Sequence, residues 1–300
     1  MMLNRRHALA TMLVAFEWSN PIRLRVGTST LEVQFSPGDL ELPREIILQW
    51  ISEAGSAVAH YYGRFPVPLA RIVLRPAEGR SGVFHGTTWG RNPPLTRISV
   101  GQHATAAQLG QDWLMTHELV HMTFPDMDEE HHWIEEGIAT YVEPIARALI
   151  RAVKPASVWS GMMTSMHQGE PGPSDEGLDH THTWGRTYWG GALFCLLADI
   201  RIRQETGNHK GLRDGLRAVM DAGGTIDHHW PLAKALDVAD QATHTQVLSA
   251  MYSEMANKAV TIDLNALWIK LGISKRGDVI SFDDNAPLAA IRRSITSDAD

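Results

Sequence analysis

Residues 116–122, THELVHM, constrain this chain more than any other stretch. They contain the pattern HExxH, as His117, Glu118 and His121. On a helix, His117 and His121 sit one turn apart on the same face, close enough to share one metal ion. Glu118 lies beside that face, placed to hold a water bound to the same ion. The neighbours Trp113, Leu114, Met115, Leu119 and Val120 are apolar nearly all the way round, which suits a buried helix. Chance placement of 15 histidines and 34 acidic residues gives on the order of 0.08 such matches per chain. Two core histidines beside a surface glutamate are therefore displaced only by a second, independent feature.

That feature is WIEEGIATYVE at residues 133–143. In a helix, Glu136 and Glu143 share a face, with Thr140 between them. Glu136 offers the third protein ligand to a metal held by His117 and His121. One tetrahedral position is then left for water, as in catalytic rather than structural zinc sites. Glu135 competes for the same role, as do Asp126, Glu129, Glu130, His131 and His132, which otherwise read as a solvated polar turn. An exposed, acidic amphipathic helix fits the same letters. The chain has no glycine at 124 and no histidine at 127, so the metzincin continuation is absent.

A hydrophobic content of 44% over 300 residues supports a sizeable core in one large domain or two small ones. The balance of 27 basic and 34 acidic residues, −7 in all, lacks the basic footprint of a nucleic-acid binder. Cys195 is the one cysteine, which excludes an intrachain disulfide and a thiolate metal cluster. Arg5 and Arg6 precede an apolar run at 8–16, too short to span a membrane. Residues 1–18 read as a leader segment, favouring an exported, periplasmic or secreted protein over a cytoplasmic one. Residues 19–300 read as a single domain.

Alternating apolar residues predict a hairpin at 21–35 and strands at 71–75, 82–89 and 97–100. A helix is predicted at 42–62. A second begins near Thr105, capped reciprocally with Gln108, and runs on through HExxH. A loop at 124–128 leads to a helix at 130–153, kinked at Pro144. Residues 168–182, rich in Gly, Pro, Asp and His, read as a long functional loop. Helices follow at 189–205, 212–220, 232–239, 245–256 and 264–271, then a strand at 279–282 and a helix at 286–295. The fold class is α+β: a small β-rich lobe, about 21–102, precedes a mainly helical lobe, about 103–300. The ten tryptophans read as core and lobe packing.

The two motifs together resemble the gluzincin metallopeptidases, especially the alanyl and glycyl aminopeptidase families. Their W-x-x-E-G-[FI]-A-[ST]-Y helix is matched by Trp133, Glu136, Gly137, Ile138, Ala139, Thr140 and Tyr141. Residues 187–199, TYWGGALFCLLAD, are similar to the families' Y-x-K-G-A-L helix start, with Tyr188 in place of the tyrosine that stabilises the oxyanion. Residues 201–216 resemble the glycyl aminopeptidase branch, and the likeness covers about 70–220.

The resemblance implies a zincin (thermolysin-like) catalytic domain holding Zn²⁺ on His117, His121 and Glu136, and a peptide or protein substrate. It implies Glu118 as general base, Tyr188 as oxyanion donor, and residues 82–88 as the strand edge along which substrate lies. Gly190 stands where the families carry lysine, and the stretch from His121 to Glu136 is shorter than theirs. Their exopeptidase glutamate is not evident in 81–90, which leaves aminopeptidase and endopeptidase action both open. Glu143 is a candidate to orient a ligand histidine; His180 and His182 are candidates to add a hydrogen bond to the transition state, although loop histidines are usually just exposed. The alternatives are a catalytically silent binding or scaffold protein of the same fold, and a metallohydrolase of a non-peptide amide or ester.

Overall fold

The computed structural model describes residues 20–298, residue 278 apart; the leader expected at 1–18 lies outside the described residues. Strands β1 (Ile22–Val26) and β2 (Ser29–Phe35) form the expected hairpin, burying Leu31, Val33 and Phe35 at every second position. Helix α1 (Arg44–Tyr62) turns Ile47, Trp50, Ile51, Ala54 and Val58 into the core. Strands β3 (Leu69–Ala77), β4 (Val83–Trp89) and β5 (Leu95–Gly101) complete a five-stranded sheet ordered β1-β2-β3-β5-β4. Its centre, β2-β3-β5, is parallel, and both edge strands run antiparallel to their neighbours. Strand β4 is therefore an edge, with one side of its backbone unpaired within the sheet.

The single helix expected from Thr105 through HExxH is two helices, α2 (Ala106–Gln111) and α3 (Leu114–Val120). The Thr105–Gln108 capping box is present, but the chain turns extended at Asp112. The Asp112 carboxylate accepts the backbone N–H groups of Leu114 (3.2 Å) and Met115 (3.0 Å) and so starts the second helix. Its side chain outcompetes continuation of the first. Helix α4 (His132–Leu149) is shorter at both ends than the predicted 130–153, with a 3₁₀ turn at residues 129–131 before it and Pro144 within it. Helix α5 (Pro155–Ser165) opens on a proline at its first position, where the missing N–H costs nothing; no sequence pattern pointed to it.

A π-helical turn at residues 186–190 leads into α6 (Gly191–Glu205). Helices α7 (Leu212–Asp221), α8 (Leu232–Thr243), α9 (Val247–Met255) and α10 (Leu264–Leu271) follow. The strand expected at 279–282 is β7 (Val279–Phe282), paired with β6 (Ile273–Arg276), whose ISKR holds one apolar residue. Helix α11 (Ala289–Thr296) ends the described chain.

Helix α4 is held from several sides. Gly137 and Gly191 let it close on α6: a Cβ on Gly137 would come within 2.4 Å of the Gly191 backbone. Trp133 Nε1 and the Tyr252 hydroxyl each donate to buried Asp179 at 2.7 Å. The Tyr141 hydroxyl donates to Asp199 at 2.8 Å, and Asp199 also accepts from Arg203 and from the Leu212 N–H. Buried acceptors whose hydrogen bonds offset their desolvation fix the place of a helix.

Candidate active site

Helix α3, the 3₁₀ turn at residues 121–123 that continues it, and helix α4 bring His117, His121 and Glu136 together. The Nε2 atoms of His117 and His121 lie 3.1 and 3.6 Å from the same oxygen, Glu136 Oε2. The three side chains' donor atoms all fall within 4.8 Å of one another. Ligands of one tetrahedral zinc, each roughly 2.05 Å from the ion, stand roughly 3.3 Å apart. Two imidazoles and a carboxylate at these spacings fit that ion. His117 and Glu136 are buried, at 3% and 7% exposure.

Electrostatics reflect the crowding. Burial works to raise the Glu136 carboxyl, but hydrogen bonds from His117, His121 and His132 prevail and hold it well below the usual carboxylate range. Burial keeps His117 below the ordinary histidine value, with Glu136 opposing. His121 goes the other way, because Glu136 and Glu118 together outweigh its burial.

Glu118 is positioned by strand β4. The Thr88 hydroxyl donates to its Oε2 at 2.7 Å, and a Cβ on Gly86 would fall 2.4 Å from its Oε1. Glycine alone leaves room for the carboxylate there. The register shifts between Phe84 and Gly86, and His85 takes a φ of 54°, a bulge that re-aims the strand beside Glu118. Burial raises the Glu118 pKa, opposed by His121 and Thr88.

Tyr188 sits in the π-helical turn, a form enriched at functional sites. Its ring stacks on His117 (6.1 Å between centroids, 12° between planes) and on Trp184 (5.4 Å, 24°). Burial, then the nearby carboxylates of Glu136 and Glu118, push its phenol up, so it stays a donor.

Other expectations need correction. Glu143 does not orient a ligand histidine: it is bound to Arg147 at 2.8 Å, and His117 Nδ1 has no hydrogen-bond partner. His180 is exposed and bonded to Asn257 at 2.7 Å, and His182 is exposed; neither lines the site, because their loop runs past it. Trp113 and Trp184 are exposed rather than core. Of the competing donors, His131 is tied to Asp179. His132 bridges Glu135 (3.2 Å) and Glu136 Oε1 (3.4 Å), holding the oxygen that the two histidines leave free. The sequence offers His132 as a rival donor and residues 82–88 as a substrate edge, but the contacts of His132 with Glu136 and of Thr88 and Gly86 with Glu118, some thirty residues on, carry no spacing signal.

Two cavities meet at Trp113, His117 and Tyr188. One, of about 720 Å³, is a cleft between β4 and α3 containing Glu118, His121 and Glu136. The other, of about 870 Å³, runs between α4 and α5. Among the described residues, no helix is long and apolar enough to cross a membrane.

No protein-family model matches this sequence, and a search of curated proteins gives no match. Solved structures do match. An aminopeptidase N family protein from Idiomarina loihiensis superposes with a TM-score of 0.61 and 11% identity, over 89% of this chain and 53% of its own. For the M1 zinc metallopeptidase from Deinococcus radiodurans the values are 0.54 and 14%, over 83% and 53%. For native yeast LTA4 hydrolase they are 0.51 and 13%, over 84% and 43%. The chain spans about half the length of these proteins, and the likeness is one of fold: an α+β, aminopeptidase-like arrangement shared with M1 zinc metallopeptidases.

Proposed function

We propose that this chain is a zinc-dependent hydrolase of peptide bonds, built as one catalytic unit over residues 19–300. One observation carries the reading: two imidazoles and a carboxylate from separate segments converge on a common point, 3.1 and 3.6 Å apart, with Glu118 beside them. His117, His121 and Glu136 would hold the ion. Bound there, zinc supplies a Lewis acid that acidifies water and polarises a carbonyl.

The chain's own groups do the rest. Thr88 occupies Oε2 of Glu118, so Oε1 is the oxygen free to take a proton from the attacking water. Glu118 then returns that proton to the nitrogen of the leaving amine as the C–N bond breaks. Tyr188 donates its phenolic hydrogen to the oxygen that gains charge. The free edge of β4 offers backbone groups for an extended peptide to pair with. A peptide fits what one fold neighbour holds, a Tyr-Ser-Ala substrate in the Deinococcus radiodurans enzyme.

Elemental analysis of the purified protein is expected to find about one zinc per chain, lost in His117→Ala. Peptide cleavage is expected to disappear in Glu118→Gln with zinc retained. A wild-type protein free of zinc after growth in zinc, or equal turnover by wild type and Glu118→Gln, overturns the reading.

A further inference from the structure

We propose that the cavity between α4 and α5 is a side-chain pocket that selects a large apolar residue, above all an aromatic one, beside the bond cleaved. Trp113 and Trp184 are its specificity-determining walls. This rests on the peptidase reading above and adds the substrate class to it.

At about 870 Å³ the cavity lies within the range of pockets that enclose organic ligands. Its lining is mainly apolar, with Val158, Met162 and Trp189 beside the two walls. The buried charges it contains, Glu143 and Arg147, are bonded to each other at 2.8 Å. Lys154 is exposed, at the cavity's solvent-facing side. A charged substrate side chain reaching the buried part of the cavity would thus meet no free buried partner, a desolvation penalty that an apolar one does not carry.

The exposure of the walls is the second observation. Five large hydrophobic residues are exposed among the described residues, and two of them, Trp113 at 50% and Trp184 at 59%, stand at this one cavity. Exposed apolar surface gathered at a single cavity marks a binding site. Both indoles are tied to the groups proposed for chemistry: Trp113 lies edge-on to His117 at 5.2 Å, and Trp184 stacks on Tyr188 at 5.4 Å. A substrate ring seated between them is offered the edge and face contacts aromatic pairs prefer, next to the reacting carbonyl.

Gly161 supplies the test. It lies in α5 on the cavity wall, and a Cβ built there meets nothing within 4 Å, so Gly161→Trp adds an indole at the wall without displacing backbone. Peptides identical except for phenylalanine or alanine flanking the scissile bond are compared by kcat/KM. Wild type is expected to prefer phenylalanine by roughly tenfold or more, since one methylene alone is worth roughly ten- to 200-fold in an apolar pocket. Gly161→Trp and Trp184→Ala are expected to bring the ratio toward one. A wild-type ratio near one, or a ratio untouched in both variants, overturns the pocket and leaves the peptidase reading standing.

Should no peptide be cleaved, the peptidase reading falls, and the pocket is judged by binding alone. N-acetyl-phenylalaninamide titrated into Glu118→Gln protein is expected to change tryptophan fluorescence saturably, with affinity at least tenfold weaker in Gly161→Trp. Absence of saturable binding, or equal affinity in the two proteins, overturns the pocket.

Discussion

The two cavities that share His117 and Tyr188 are opposites. The cleft along β4 is crowded with titratable groups, each held by a partner: Glu118 by Thr88, and Glu136 by three histidines. The cavity behind it is walled by indoles and aliphatic side chains, its one buried ion pair closed on itself. A site that moves protons needs groups whose pKa values are set by neighbours. A site that chooses side chains needs surface that water leaves readily. Trp113, His117 and Tyr188 border both cavities, so the proposed chemistry and the proposed selection are separable by mutation only away from that shared boundary.

The sharpest break in that contrast is Glu118→Gln. It is expected to lower kcat by about 10³-fold, the middle of the range for a lost general base, with zinc content unchanged by elemental analysis. A drop below tenfold would remove Glu118 from the proposed chemistry. Gly86→Val comes next: its side chain would occupy the space of the Glu118 carboxylate. Displacement by about 1 Å costs on the order of 10² in rate, and a crystal structure of the variant should show Glu118 moved while His117, His121 and Glu136 stay.

A smaller effect is expected for His132→Ala. Its bond to Glu136 Oε1 orients the carboxylate from outside, and losing such a partner weakens metal affinity by about tenfold, measurable by competition with a chelator. The last concerns stability rather than rate or metal affinity, and lies in the apolar cavity. Burial lifts the Glu143 carboxyl to about 7 against the pull of Arg147. Between about pH 4.5 and 7 the folded chain then binds a proton that the unfolded chain has released. Stability from this group is present at low pH, falls as pH rises through that window by up to about 3 kcal/mol, and is level above it. Denaturant midpoints at pH 5 and pH 8 should show the slope in wild type and lose it in Glu143→Gln.

Much of the molecule was legible in its letters, unevenly. Strands β1, β2, β3 and β5 and helices α1, α7 and α10 follow from apolar periods of two and 3.6, because each turns one face to the core, whereas α6 is a continuous apolar run buried on nearly every side. Helix α5 escaped, since PASVWSGMMTS buries only Val158, Trp159 and Met162 and carries small polar residues between. The break at Asp112 escaped because one carboxylate's choice between solvent and two amides is too local for any periodicity to register.

His117, Glu118 and His121 were named from their spacing, which recurs on helices whatever the surrounding fold, and Glu136 was set above Glu135 and its other rivals by the family resemblance. That their donors meet, that Thr88 and Gly86 frame Glu118, and that Glu143 turns to Arg147 were decided only in three dimensions. So was the exposure of Trp113 and Trp184, which composition assigns to a core. Spacing along a helix is a property of the covalent chain and its hydrogen bonds. Which side chain across the gap becomes a partner depends on how separate segments pack, and neither segment carries that information alone.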